Sequence, residues 1–255
     1  MMRVTQLFVL TAGASGLAAT SGRVFQRTLA PHMPRTATPR GSLATTVAPA
    51  LGAGLANSMF FSGLPEVIEK RKEGKLGEFN PLPMPIILGN TVGWVAYSIL
   101  TRDPFVAAAN APGLLLAAWY VMTMCRLAEK EVVKKIESVT MLMAGIHTAA
   151  GLACAFLLPT RAAMISLYGI ICNGILLAYY GAPLSTIGKV LKEKSSASIF
   201  FPTVLLNGLN ALFWSAYAFA INDVYILIPN SIGLALSLIQ TALCLTFPGA
   251  KAETA

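Results

Sequence analysis

Seven stretches of this chain stay apolar for about twenty residues or a little more, at 43–64, 82–101, 104–127, 138–158, 162–182, 200–220 and 223–247. Charges gather in the short loops between them, and no Asp, Glu, Lys or Arg lies well inside any stretch. A run of that length crosses the hydrocarbon core of a bilayer as a helix. Helix is the form that pairs every backbone N–H and C=O within one segment, as lipid demands. The pattern therefore predicts an all-α membrane protein with seven transmembrane helices, spans 1 to 7 in chain order.

The polar and aromatic positions inside those runs repeat. Asn90, Trp94, Ala96, Tyr97, Asp103, Asn110, Gly113, Leu114 and Leu116 recur 120 positions later as Asn210, Trp214, Ala216, Tyr217, Asp223, Asn230, Gly233, Leu234 and Leu236. These are nine identities in 27 ungapped positions, where shared composition alone gives roughly two or three. Spans 1–3 and 5–7 are thus tandem copies. Three helices reverse the chain's direction across the membrane, and span 4 restores it. The expected architecture is two parallel three-helix bundles, 49–128 and 161–247, joined by a linker helix within 129–160 and followed by a tail at 248–255. Such repeats are related by an axis along the membrane normal, with the substrate site between them.

Charge gives an orientation. The loops after spans 1, 3 and 5, with the tail, hold Lys70, Arg71, Lys72, Lys75, Arg126, Lys130, Lys134, Lys135, Lys189, Lys192, Lys194 and Lys251. The opposite side has Arg102 and Arg161. Twelve against two predicts a cytoplasmic C-terminus, with the body's N-terminus outside. Residues 1–48 carry Arg3, Arg23, Arg27, Arg35 and Arg40 and no acid. They combine a short apolar stretch with an Arg-, Ser-, Thr- and Pro-rich one, as a targeting segment does. A disordered leader is the alternative. The housing membrane is then the plasma membrane or that of an organelle such as a plastid.

Composition narrows the function. The net charge of +8 reflects that leader and those loops, and no basic stripe with interleaved aromatics points to nucleic acid. Cys125, Cys154, Cys172 and Cys244 sit in apolar runs without paired spacing, which favours core packing over a metal or disulfide framework. No nucleophile–base pair or metal cluster indicates an enzyme or a cofactor. His147 in span 4 is the imidazole within the spans, and a packed, hydrogen-bonded role is expected for it. Coupled carriers keep ionisable groups in the membrane for the driving ion, so facilitated diffusion is the expected mode.

The candidate site follows from depth. At 1.5 Å rise per residue, Trp94 near the end of span 2 and Asn110 near the start of span 3 both lie roughly 10 Å below the same end of the bundle. The duplication puts Trp214 and Asn230 at that level. Carboxamides donate and accept as hydroxyls do, and an indole offers an apolar face to the C–H side of a sugar ring. The set suits a neutral mono- or disaccharide. Asp103 and Asp223 are expected to cap spans 3 and 7. Pro65 and Pro183 are expected to end spans 1 and 5, with Pro81 just before span 2 and Pro202 early in span 6. These four would bend and gate the opposite end.

Four segments carry a resemblance to the SWEET sugar transporters: 80–99, 103–113, 179–196 and 222–233, within a match over about 50–247. That resemblance implies sugar-binding roles for Asn110 and Asn230 with Trp94 and Trp214 around them. It also implies three members of a gating proline tetrad in Pro65, Pro81 and Pro183. The fourth falls on Phe200, with Pro202 two residues later. Val92 and Ala182 replace serines common in plant members. Self-association is implied without a fixed number. The resulting expectation is a facilitative, bidirectional sugar uniporter working by alternating access, a hexose being the first substrate. A coupled or exchange carrier of another small metabolite and a seven-helix receptor are the alternatives.

Overall fold

The computed structural model describes residues 42–248. The expected leader at 1–48 and tail at 248–255 fall almost wholly outside the described residues. The helices are α1 (Ala48–Ser62), α2 (Leu64–Glu73), α3 (Pro83–Thr101), α4 (Pro104–Leu127), α5 (Lys130–Phe156), α6 (Arg161–Tyr179), α7 (Gly181–Glu193), α8 (Phe201–Ile221) and α9 (Val224–Thr246). Among the described residues there is no strand. One π-helical turn, Leu43–Val47, leads into α1, and the Ser42 side chain caps it by accepting from the Thr45 N–H.

Among the described residues, seven helical runs are long and apolar enough to cross a membrane, with α1–α2 forming the first and α6–α7 the fifth. The boundaries of three of them depart from expectation. Span 4 begins at Lys130 rather than near 138: the helix continues through the charged stretch before the apolar run, where Glu131 and Lys134 pair at 2.7 Å. Spans 1 and 5 do not stop at Pro65 and Pro183. Each helix breaks just before its proline, at Gly63 (φ −78°, ψ −12°) and Tyr180 (φ −70°, ψ −12°), then resumes as α2 and α7. A proline in the first turn loses no bond, since N–H groups there have no intrahelical acceptor. The prolines therefore start the second segments instead of ending the first.

Packing closes the helices into a ring. Helix α1 packs on α4, α4 on α3, α3 on α6, α6 on α9, α9 on α8, and α8 back on α1. Exchanging the two copies maps this ring onto itself, the α3–α6 contact becoming α8–α1. Helix α5 stands outside the ring against α3, α4 and α6. The two three-helix bundles thus face each other through α3, α6, α8 and α1, with the linker helix on one flank. Large apolar side chains point outward, Leu115, Phe156, Phe219 and Leu245 being 74–81% exposed, as a lipid-facing surface requires. Inside, one cluster spans both bundles, containing Trp94, Tyr97, Val106 and Ala109 of the first with Tyr168, Cys172, Trp214, Tyr217 and Ile226 of the second.

Candidate functional site

The turns joining α3 to α4 and α8 to α9 are the same structure built twice. Arg102 and Asn222 close the preceding helices in the left-handed region, at φ 56° and 55°. Asp103 and Asp223 follow in extended conformation and cap the next helix. Asp103 Oδ1 accepts from the Phe105 and Val106 N–H groups at 3.0 and 3.1 Å. Asp223 Oδ1 does the same for Tyr225 and Ile226 at 3.1 and 3.2 Å. Capping was expected from the sequence. A second use of these carboxylates was not.

Each aspartate also receives a tyrosine from the other bundle. Tyr97 of α3 donates its hydroxyl to Asp223 at 2.7 Å, and Tyr217 of α8 donates to Asp103 Oδ2 at 2.7 Å. Both bonds are buried, where charge-assisted hydrogen bonds are strongest. The rings repeat the exchange: Tyr97 meets Tyr225 edge-on at 6.2 Å, and Tyr217 meets Phe105 at 5.9 Å. The bundles are latched at this end by two reciprocal Tyr–Asp bonds. Tyr97, Tyr217, Asp103 and Asp223 were all visible as repeated residues; no sequence rule said that they pair across copies.

One turn below each tyrosine lies one of the two candidate indoles. Trp94 contacts Tyr97 at 5.4 Å and Trp214 contacts Tyr217 at 5.9 Å, both T-shaped. The indoles are 7% and 6% exposed and belong to the cluster between the bundles, so neither faces lipid. Gly52 of α1 makes room for Trp214: a Cβ there would stand 2.9 Å from the indole nitrogen. Asn110 and Asn230 are half-buried, and each spends one N–H on its own helix, on Val106 O at 2.9 Å and Ile226 O at 2.8 Å. The carboxamide oxygen and the second N–H of each carry no bond to any other described residue.

A second pair of amides, not among the four expected residues, lies close by. Asn90 and Asn210 lie one helical turn below Trp94 and Trp214, and both Oδ1 atoms are buried without a partner. A buried orphan acceptor costs about 1–3 kcal/mol, and here the cost is incurred twice at equivalent positions. Their recurrence in the repeat was the available signal. His147 of α5 is packed as expected, its Nε2 bonding to Gly89 O at 2.8 Å while the ring stacks on Tyr168 at 6.2 Å.

At the opposite end, Pro65 and Pro183 occupy the first turns of α2 and α7 just after the breaks. Pro81 precedes α3, and Pro202 is the second residue of α8, so neither bends a helix interior. Phe200 is the N-cap of α8 and is 72% exposed. Among the described residues, the prolines within helix interiors are Pro112 of α4 and Pro229 of α9.

A ring of membrane-spanning helices built from two parallel copies, with twinned polar groups buried between them, defines the chain as a duplicated membrane transporter. The family profile described as "Sugar efflux transporter for intercellular exchange" matches it twice, at residues 50–132 and 166–252. The chain belongs to this family, the SWEET transporters, a family of carriers and not of enzymes. Sugar transporter SWEET1 of Caenorhabditis elegans is 28% identical over 194 residues, 75% of this chain and 62% of that protein, so this chain spans less than two thirds of its length. Bidirectional sugar transporter SWEET5 of Arabidopsis thaliana is 29% identical over 208 residues, 80% of this chain and 86% of its own. The solved structure of a eukaryotic SWEET transporter superposes with a TM-score of 0.72 at 21% identity, covering 80% of this chain and 97% of the other, a likeness of fold.

Proposed function

We propose that this protein is a facilitative, bidirectional sugar uniporter that binds one hexose between its bundles. The carrying observation is the twinned arrangement of Trp94, Asn110, Trp214 and Asn230 under a reciprocal latch. It offers hydrogen-bonding amides and apolar indole faces with no charge among them. Asn90 and Asn210 join this set, each holding a buried acceptor for a sugar hydroxyl. Neutral partners release a neutral ligand readily, which passage requires. The names of the matched relatives, which describe sugar and bidirectional sugar transporters, support the reading.

Alternating access follows from the two ends. Breaking the Tyr97–Asp223 and Tyr217–Asp103 bonds would free the ring at the latched end. The helix breaks at Gly63 and Tyr180, with Pro65 and Pro183 behind them and Pro81 and Pro202 at neighbouring helix starts, would let the other end move. By the loop charges, the latched end faces outward and the proline end faces the cytoplasm. Purified protein in liposomes should take up labelled glucose to equilibrium and no further, with or without a pH gradient. Accumulation driven by that gradient would establish a coupled carrier instead, and absence of uptake for every sugar tried would remove the proposal.

A further inference from the structure

We infer that Asn57 and Asn173 are positioning residues for Asn110 and Asn230, each replacing a backbone bond that a proline has removed; the inference rests on the site proposed above. Pro112 and Pro229 lie inside α4 and α9. Proline has no N–H, so the carbonyl four residues earlier loses its helical partner. Those carbonyls are Ala108 O and Tyr225 O. In lipid, a carbonyl left this way must find another donor.

Each finds one on a neighbouring helix. Asn57 of α1 donates Nδ2–H to Ala108 O at 3.0 Å, and Asn173 of α6 donates to Tyr225 O at 2.9 Å. Each amide is held from behind by its own helix, bonding to Ala53 O and Gly169 O, both at 2.8 Å. The two prolines are not repeat equivalents. Pro112 corresponds to Ile232, and Pro229 to Ala109. Yet each orphaned carbonyl is met by an asparagine from the first helix of its own bundle. The amides follow the missing bond and not the register of the repeat, which is what a specific remedy for each proline requires.

The location gives the bond its function. Asn110 lies within the opened turn Ala108–Pro112, and Asn230 directly follows Pro229. The bond between helices therefore sets the local pitch from which each site amide projects. Displacement of a binding group by even an ångström weakens binding steeply. Asn57 and Asn173 touch no substrate in this scheme; they act through the helix backbone.

A double-mutant cycle in liposomes tests this with the full chain. Asn57→Ala should raise the KM for glucose about fivefold or more, with Vmax per reconstituted transporter changed by less than about twofold. Pro112→Ala restores the N–H to Ala108 O, so adding it to Asn57→Ala should return KM towards the wild-type value. Adding Pro229→Ala to Asn57→Ala should not. Independent, additive effects of Asn57→Ala and Pro112→Ala would overturn the inference, as would a wild-type KM in Asn57→Ala. Should Asn57→Ala fail to accumulate, the double variant with Pro112→Ala must recover abundance, and failure to do so also overturns it. Asn110→Ala separates the two claims. Loss of uptake there beside a wild-type KM in Asn57→Ala sinks the inference alone, whereas normal uptake in Asn110→Ala sinks the site itself.

Discussion

The hydroxyl of Tyr97 lies 2.7 and 2.8 Å from the two carboxylate oxygens of Asp223, across the boundary between the bundles. Asp223 simultaneously holds the first turn of α9. One carboxylate thus ties the start of a helix in one copy to the end of a helix in the other. Tyr217 and Asp103 repeat the bond with the copies exchanged. In the proposed transport cycle, opening this end would break both of these buried bonds.

Removing one hydroxyl should therefore shift the closed–open balance. Tyr97→Phe keeps the ring against Tyr225 and Trp94 and deletes a charge-assisted bond worth about 1.5–3 kcal/mol, enough to change the closed–open ratio about tenfold to a hundredfold. Spin labels placed at positions 102 and 222 should report a longer mean separation in Tyr97→Phe than in the unsubstituted chain. Identical distance distributions would show that the latch does not govern closure.

Cap and latch are separable at Asp223. Asparagine caps about as well as aspartate, but it lacks the charge that strengthens the tyrosine bond. Asp223→Asn should weaken the latch while keeping the cap, so its loss of stability is that of the weakened tyrosine bond alone. Asp223→Ala should open the latch and lower stability further than Asp223→Asn, by about 0.5–2 kcal/mol for the lost cap. Equal melting temperatures for the two variants would mean that the cap contributes nothing here.

The orphan acceptors of Asn90 and Asn210 give an unusual signature. Leucine at either position removes a buried, unpaired oxygen, so Asn90→Leu should melt at or above the temperature of the unsubstituted protein. Glucose uptake by the same variant should fall about tenfold or more. A variant both less stable and fully active would assign Asn90 to packing.

Shape alone should also disable the site. A Cβ at Gly52 would stand 2.9 Å from the Trp214 indole nitrogen and 3.0 Å from its neighbouring ring carbon. Such overpacking costs about 1–3 kcal/mol, and it pushes on the indole directly. Gly52→Ala should lower glucose uptake without changing any polar group, whereas Gly54→Ala, where a Cβ meets nothing within 4 Å, should transport normally. Equal uptake by both variants would place Trp214 outside the sugar path.

Periodicity and composition determined much of this protein directly. Twenty apolar residues must be helical in lipid, so seven spans could be counted from Leu43 to Phe247 without coordinates. The 120-residue repeat showed two copies, and an odd number of spans between them made those copies parallel. Asp103 and Asp223 were legible as caps because capping acts over two or three residues. Bonds between distant residues left no such trace. Tyr97 with Asp223, Asn57 with Ala108 O and Gly52 with Trp214 depend on which helices become neighbours, and local spacing does not encode that. Nor did the prolines reveal themselves: Pro65 and Pro183 look like helix ends until the chain is seen to resume beyond them. The sequence alone thus decided the elements and their duplication, through forces acting within a helical turn. Only the tertiary structure decided which buried groups find partners and which, like Asn90 and Asn210, are left waiting, because burial and pairing are properties of the assembled ring.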